Sequence, residues 1–526
     1  MINDTTTLPD SPQELKQIIL DLQGQRRRYE QENELLREQV RLLYVRIFGK
    51  KSEKGQIAAT AIQLPLFDMP EPEAEPEKKS VEVHGHTREK AGRKKLPDNL
   101  PRVEVVHDIS EEEKICACGC MMSRIGEDVS EKLDIIPAVI QVIRHVRPKY
   151  SCKSCEGLET EGAVVKIAPV PKQIIAKGIA TAGLLAHILV AKFVDALPFY
   201  RQEKQFSRLG VAIPRATMSN WSMKVAEVCS PLLTILHEQI RSGPLINIDE
   251  TTIQVLQEPG RAATTKSYMW IFRGGSSDQP ALVYQYHTGR SGNIAALFLK
   301  EYTGVVQTDG YAGYDFIDRL PDINHAGCWA HARRKFMEAQ KGSGKGNRAG
   351  SVDVALSFIR QIYAVESEGR RNGYSPEQMC ALRQEKTRSI LTEFRQWLEK
   401  KIVQVVPKSL LGTAVNYTFN QWSSLITYLD HGEVTPDNNA AENAIRPFVI
   451  GRKNWLFAGT QKGAEASACL YSLIETAKAN NLEPYKYLRY LFEKLPFASS
   501  EDDYRALLPF NLGQTDLALR NTLSGV

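Results

Sequence analysis

The chain has 526 residues, 42% of them hydrophobic, enough for roughly three to four domains with a sizeable core. Its 67 basic and 62 acidic residues leave a net charge of +5, too slight to mark a nucleic-acid partner unless the placement of the basic residues does so. No charged-then-apolar leader follows Met1, and His187, Lys192 and Asp195 interrupt the longest apolar run, 178–197. Secretion and membrane insertion are therefore not expected, and the nine cysteines are expected in a reducing cytoplasm.

Residues 12–50 predict a coiled coil. Leu15, Leu22, Tyr29, Leu36 and Leu43 repeat every seven residues, and Ile19, Arg26, Asn33, Val40 and Ile47 form a second series offset by four. Such a seam pairs protomers, so a homo-oligomer is expected. Residues 51–100 read as a flexible linker in which Pro65, Pro70, Pro72 and Pro76 stand among glutamates. Its basic arm, 88–97, suits a minor groove or a phosphate backbone.

Residues 101–165 predict a zinc-finger module. Cys116, Cys118 and Cys120 form one knuckle, and Cys152 with Cys155 form a C-x-x-C pair. Four thiolates would hold one structural Zn2+, with Cys116 joined by either Cys118 or Cys120 as the favoured knuckle pair. A strand-like stretch, 139–146, lies between the two groups.

Residues 172–235 read as all-helical. A helix opening at Leu197-Pro198, a turn at Gly210, and a second helix opening at Pro214 predict a helix-turn-helix domain. Its early polar residues Arg215, Thr217, Ser219 and Asn220 could reach base edges.

A sheet domain is expected over 240–460. The apolar stretch 245–248 runs into Asp249, and Val305-Val306-Gln307-Thr308 runs into Asp309-Gly310. Further strands at 268–273 and 281–286, then a helix over 294–302, separate them. Three antiparallel strands, a helix, and a strand returning beside the first make the ribonuclease-H-like order, in which Asp249 and Asp309 meet. Glu442 would join them from a helix capped by Asp437 or Asn438. Three converging carboxylates suit two Mg2+ ions, or Mn2+, flanking a scissile phosphate. Glu250 is a rival acid expected on the opposite face of the strand from Asp249.

Cys328 and His331 face one way on a basic helix, but no second ligand pair accompanies them, so packing or a phosphate-facing role is expected there. Arg333, Arg334 and Lys335 on the same helix could hold DNA backbone. A helical insertion over about 340–430 precedes Glu442. Arg446, Arg452, Lys453, Trp455 and Lys462 then form a basic strip with one aromatic. Residues 461–526 close the chain as a C-terminal helical region.

Arg46-Ile47-Phe48-Gly49-Lys50-Lys51-Ser52-Glu53-Lys54, the cysteine region 116–155, Asn247-Ile248-Asp249-Glu250-Thr251 and Thr308-Asp309-Gly310-Tyr311 are joined by two longer motifs, 328–336 and 438–447. Together they resemble the transposases of the insertion-sequence family numbered sixty-six. The resemblance implies a multidomain α+β protein with a DDE catalytic domain whose acids are Asp249, Asp309 and Glu442. It implies cleavage and strand transfer at terminal inverted repeats, DNA as partner, element-encoded accessory proteins, and a place on the bacterial nucleoid. A non-catalytic DNA-binding repressor and a structure-specific nuclease of the same fold are the alternatives.

Overall fold

The computed structural model describes residues 11–48, 140–151, 165–342 and 350–517. The chain divides into two compact units, 52–146 and the remainder. The basic arm and Cys116, Cys118, Cys120, Cys152 and Cys155 lie outside the described residues. Residues 140–148 carry no regular structure, and Val142 and Val146 are largely exposed. Over the described residues 140–146 the expected strand is therefore not formed, and none of the described strands pairs with them.

In the larger unit, helix α1 (Pro12–Phe48) spans the predicted heptads. Its Leu42 is buried and its Glu38 carboxylate accepts the Leu410 N–H at 3.2 Å, so one face lies against its own chain. Strands β1 (Lys149–Ser151) and β2 (Val165–Ile167) pair antiparallel, with β1 ending just before Cys152.

Helical structure begins at α2 (Ala182–Phe193), not at 172, with Thr181 capping it by accepting the Leu184 N–H. This is the apolar run of the sequence, and its buried face shows why it is apolar. No helix among the described residues is long and apolar enough to cross a membrane. Helix α3 (Phe199–Arg208) and helix α4 (Arg215–Ser242) each follow a proline, whose fixed φ suits a helix entry. Gly210, at φ +80, makes the turn between them. Along α4, Met218, Trp221, Val225, Cys229, Leu232, Leu236 and Ile240 recur at three- and four-residue spacing and are buried.

Strands β3 (Leu245–Gln257), β4 (Lys266–Gly275) and β5 (Pro280–His287) form an antiparallel meander. Helix α5 (Gly292–Phe298) follows, starting earlier and ending sooner than the expected 294–302. Strand β6 (Gly304–Gln307) then returns parallel to β3, and β7 (Ile323–Ala326) adds beside it, giving the order β5-β4-β3-β6-β7.

The helical insertion comprises α6 (Trp329–Gly342), α7 (Ser351–Arg371), α8 (Pro376–Leu382), α9 (Arg388–Ile402), α10 (Leu410–Asn420) and α11 (Trp422–Ile426). Trp329, Phe336, Ile359, Phe394, Leu398 and Val415 give it a core that reaches β6 and β7 through Val305 and Ala326. The chain re-enters the sheet layer as α12 (Asn439–Trp455), β8 (Ala458–Thr460) and α13 (Gln461–Ala479), and ends with α14 (Pro484–Lys494) and α15 (Glu501–Ala506). A second, larger core is shared by α2 to α4, the sheet, α12 to α14 and residues as late as Leu517. The edge of β5 is sealed by α13. The Leu282 and Tyr284 N–H groups donate to the hydroxyls of Thr476 and Ser472, which leaves fewer backbone groups open to a further strand.

Candidate metal centre

The sequence places Asp249 at the end of a strand, but β3 runs on for eight residues beyond it. What ends near Asp249 is the pairing: β6 covers only Leu245 to Asn247, and β8 picks up the same edge only at Val255. Between them no described strand pairs with that edge of β3, and α12 packs against the strand. Arg452 donates to the hydroxyls of Thr251 and Thr252 at 3.1 Å each.

Neutral amides build the frame. Asn247 and Gln307 stand two residues ahead of Asp249 and Asp309; Asn247 shares a face of β3 with Asp249, and Gln307 is the last residue of β6. The Asn247 amide donates to Gln307 Oε1 at 2.9 Å and to Asn438 Oδ1 at 3.1 Å. Asn438 in turn donates to the Ile248 carbonyl at 2.9 Å. Gln307 donates to the carbonyls of Thr435 and Gly327. Asn438 is the N-cap of α12, so tying it to Ile248 brings the first turn of that helix, with Glu442, over Asp249. The Asn438 side chain makes no capping hydrogen bond, whereas Asp437 Oδ1 accepts the Asn439 N–H at 3.3 Å.

The carboxylates feel one another. Burial raises Asp249 from 3.8 to about 7, and the charges of Glu250, Asp309 and Glu442 add to that rise against the pull of the Glu250 N–H. Asp309 is half-buried, and its Oδ1 accepts the Tyr311 N–H at 3.0 Å. A Cβ at Gly310 would stand 2.5 Å from the Tyr417 ring, so only glycine lets that ring approach. Glu250 belongs to a different arrangement. Tyr314 and Arg290 both donate to its carboxylate, and Arg290 stacks 3.6 Å from the Tyr311 ring centre. Its charge is thus met by protein groups, whereas Glu442 Oε1 is buried with no hydrogen-bond partner.

Cys328 and His331 stand with Glu442, contrary to the expectation that nothing completes them. The three donor atoms lie within 4.8 Å of one another. His331 Nδ1 is 3.7 Å from Glu442 Oε1, and burial, with Arg334 next, holds the imidazole below its ordinary pKa. The Cys328 thiol is pushed up to about 12 by burial.

Of the expected DNA contacts on α6, Arg333 and Arg334 are exposed, Arg334 lies 3.8 Å from Glu442, and Lys335 stacks on Tyr417. Arg446 and Lys453 are exposed on the same α12 face as Glu442. Arg452 is spent on the two threonines, and Trp455 packs edge-on to Phe448 beneath Lys192, so the strip offers no free aromatic there. On α4, Arg215 and Asn220 are exposed, while Thr217 and Ser219 are half-buried. Sequence reading missed Asn247, Gln307, Arg290 and Tyr314. The available signal was a polar residue two positions before each aspartate, inside strands otherwise apolar.

The sequence model described as "Transposase IS66 family" matches residues 177–466. The chain belongs to the IS66 transposase family. Three further family segments match: "zinc-finger binding domain of transposase IS66" over 113–156, "Transposase C of IS166 homeodomain" over 35–105, and "IS66 C-terminal element" over 472–510. This IS66 protein therefore carries a zinc-finger segment that contains all five cysteines singled out above. Two relatives come from Sinorhizobium fredii (strain NBRC 101917 / NGR234). "Uncharacterized protein y4jD" is 33% identical over 96% of this chain and 97% of its own length. "Uncharacterized protein y4qI" is 32% identical over 80% and 77%.

Proposed function

We propose that this IS66-family protein is the enzyme that cuts and joins DNA at the terminal inverted repeats of an insertion sequence, on a ribonuclease-H-like domain spanning 240–460. The observation that carries the reading is the Asn438 bridge, which ties the start of the Glu442 helix to β3, together with the charges of Asp309 and Glu442 that raise Asp249, although the three acids are far apart in the chain. The strand order of the sheet supports the fold reading.

The donor chemistry fits hard divalent cations: oxygen ligands, a carboxylate at about 7 among like charges, and a buried carboxylate oxygen without a partner. Two Mg2+ or Mn2+ ions held by Asp249, Asp309 and Glu442 would supply an activated attacking oxygen and stabilise the leaving one. The chain's own residues do the rest. The buried amides fix the acids, and Arg290 with Tyr314 neutralises Glu250 so that it does not compete. Arg333, Arg334, Arg446 and Lys453 offer cations to the DNA backbone around the acids. Arg215, Thr217, Ser219 and Asn220 open the second helix of a helix-turn-helix that reads the element end. Four of Cys116, Cys118, Cys120, Cys152 and Cys155 hold Zn2+.

Pairing of protomers through a coiled coil is supported by α1. Ile19, Leu22, Tyr29, Leu36, Val40 and Leu43 are each more than half exposed, while the intramolecular contact uses the face of Glu38 and Leu42.

Strand transfer by the purified chain on DNA carrying its element ends, with Mg2+, tests the reading. Asp309→Asn is expected to abolish both nicking and joining. Nicking that survives in Asp309→Asn removes the acid assignment, and nicking without joining in the wild type favours a nuclease.

A further inference from the structure

Among the described residues, Cys328, His331 and Glu442 are the group whose donor atoms could share one ion. Cys328 immediately precedes α6 and His331 lies in its first turn, while Glu442 lies in the first turn of α12. The two helix starts are locked together: the Trp329 N–H donates to the Pro436 carbonyl at 2.8 Å, and the Asn438 N–H donates to Cys328 Sγ at 3.2 Å. That lock points His331 Nδ1 and Glu442 Oε1 at each other.

The pair is unsatisfied. Both atoms are buried and neither has a hydrogen-bond partner. At 3.7 Å they do not bond to each other, since a charge-assisted N–H···O bond closes to about 2.7–2.9 Å. Buried polar atoms left this way are costly unless something binds both. A proton is too small for the gap. Two donors each about 2.1 Å from one cation stand roughly 3–3.5 Å apart, close to the observed spacing. Cys328 Sγ, by contrast, already accepts the Asn438 N–H, so it serves as a positioning residue for the two helix starts.

We infer that His331 is a ligand, through Nδ1, of the same divalent ion that Glu442 holds, so that this ion sits in a mixed nitrogen and oxygen set. The inference rests on the acid-site reading above and adds to it a specificity. Imidazole favours Mn2+, Co2+ and Zn2+, whereas carboxylate and water sets favour Mg2+. The site should discriminate between metals through His331, with the remaining acids setting the base affinity.

The test is pulsed electron paramagnetic resonance on the full chain loaded with Mn2+ alone, with Mn2+ affinity measured by titration. The wild type is expected to show nitrogen coupling to the bound Mn2+. His331→Asn, which offers an amide oxygen near the Nδ1 position, is expected to lose the coupling and still bind Mn2+. His331→Ala is expected to weaken Mn2+ binding by roughly tenfold or more and Mg2+ binding by less. Circular dichroism melts of both variants check that they fold. Should His331→Ala not fold, His331→Asn decides alone. Mn2+ binding that depends on Asp309 and Glu442 but shows no nitrogen coupling, or a coupling that persists in His331→Asn, overturns the inference and leaves the acid site standing. Wild-type Mn2+ binding indifferent to Asp309→Asn and Glu442→Gln overturns the acid-site reading instead.

Discussion

Two regions of this molecule bury polar groups to fasten distant segments, and they do it in opposite ways. In the helical insertion, Arg383 is 1% exposed and forks onto Glu366 at 2.8 and 2.9 Å. Its remaining N–H groups donate to the carbonyls of Tyr428, His431 and Val434, so all its donors are met. Around Asp249, Asp309 and Glu442 the fastening is done by neutral amides, and Glu442 has only the exposed Arg334 at 3.8 Å as a cation, with its Oε1 buried and without a hydrogen-bond partner. Glu250 shows that the fold can neutralise an acid in this neighbourhood when it has Arg290 to do so. Close pairing in one place and a buried carboxylate oxygen without a partner in the other fit the proposal that the second place takes an external ion.

The largest break in this comparison comes from removing one withheld acid. Asp309→Asn is expected to lower strand transfer by about four orders of magnitude, measured on labelled element ends, with the melting temperature unchanged or raised because a like charge is gone. Arg383→Met acts the other way. It strands Glu366 and is expected to cost about 3–5 kcal/mol in urea melts. Arg383→Met with Glu366→Leu should recover part of that loss, since both charges are then absent.

Asp249 gives the comparison a pH signature. Its folded value, about 7, lies above its ordinary 3.8. Between about pH 4 and 7 the metal-free folded protein therefore keeps a proton that the unfolded chain has released, so stability falls as pH rises through that window. The full loss, on the order of 4 kcal/mol at about 1.4 kcal/mol per pH unit, stands above pH 7. Urea melts in chelator at stepped pH should show the slope, Asp249→Asn should remove it, and Mg2+ should flatten it.

Asn438→Ala probes the amide frame. It leaves the buried Asn247 amide short of a partner and is expected to cost about 1–3 kcal/mol, with Mg2+ affinity falling alongside because Glu442 loses its anchor. The smallest thermodynamic effect is expected on α1. Leu22→Glu with Leu36→Glu should leave the melt of the larger unit within about 0.5 kcal/mol yet lower the oligomer mass in sedimentation.

The strands near 245, 268, 281 and 305, the helices α3, α4 and α12, and the insertion are all visible in the sequence, because periods of two and of three to four residues are local. Asp249 and Asp309 stand out in the sequence, since a carboxylate after an apolar run breaks its own pattern. The exposed apolar residues of α1 fall on a seven-residue repeat, which needs no tertiary information. The limits of local pattern show at 140–146, where alternation with no partner among the described strands forms no strand, and at β3, which outlasts its expected end because β4 keeps pairing with it to Gln254. Tertiary structure alone decided which polar residues serve the acids. Asn247, Gln307 and Asn438 acquire their roles from pairing between segments up to 191 positions apart. His331 likewise meets Glu442 only because α6 and α12 start side by side. Periodicity records which face of an element is buried, but not what another element brings to that face.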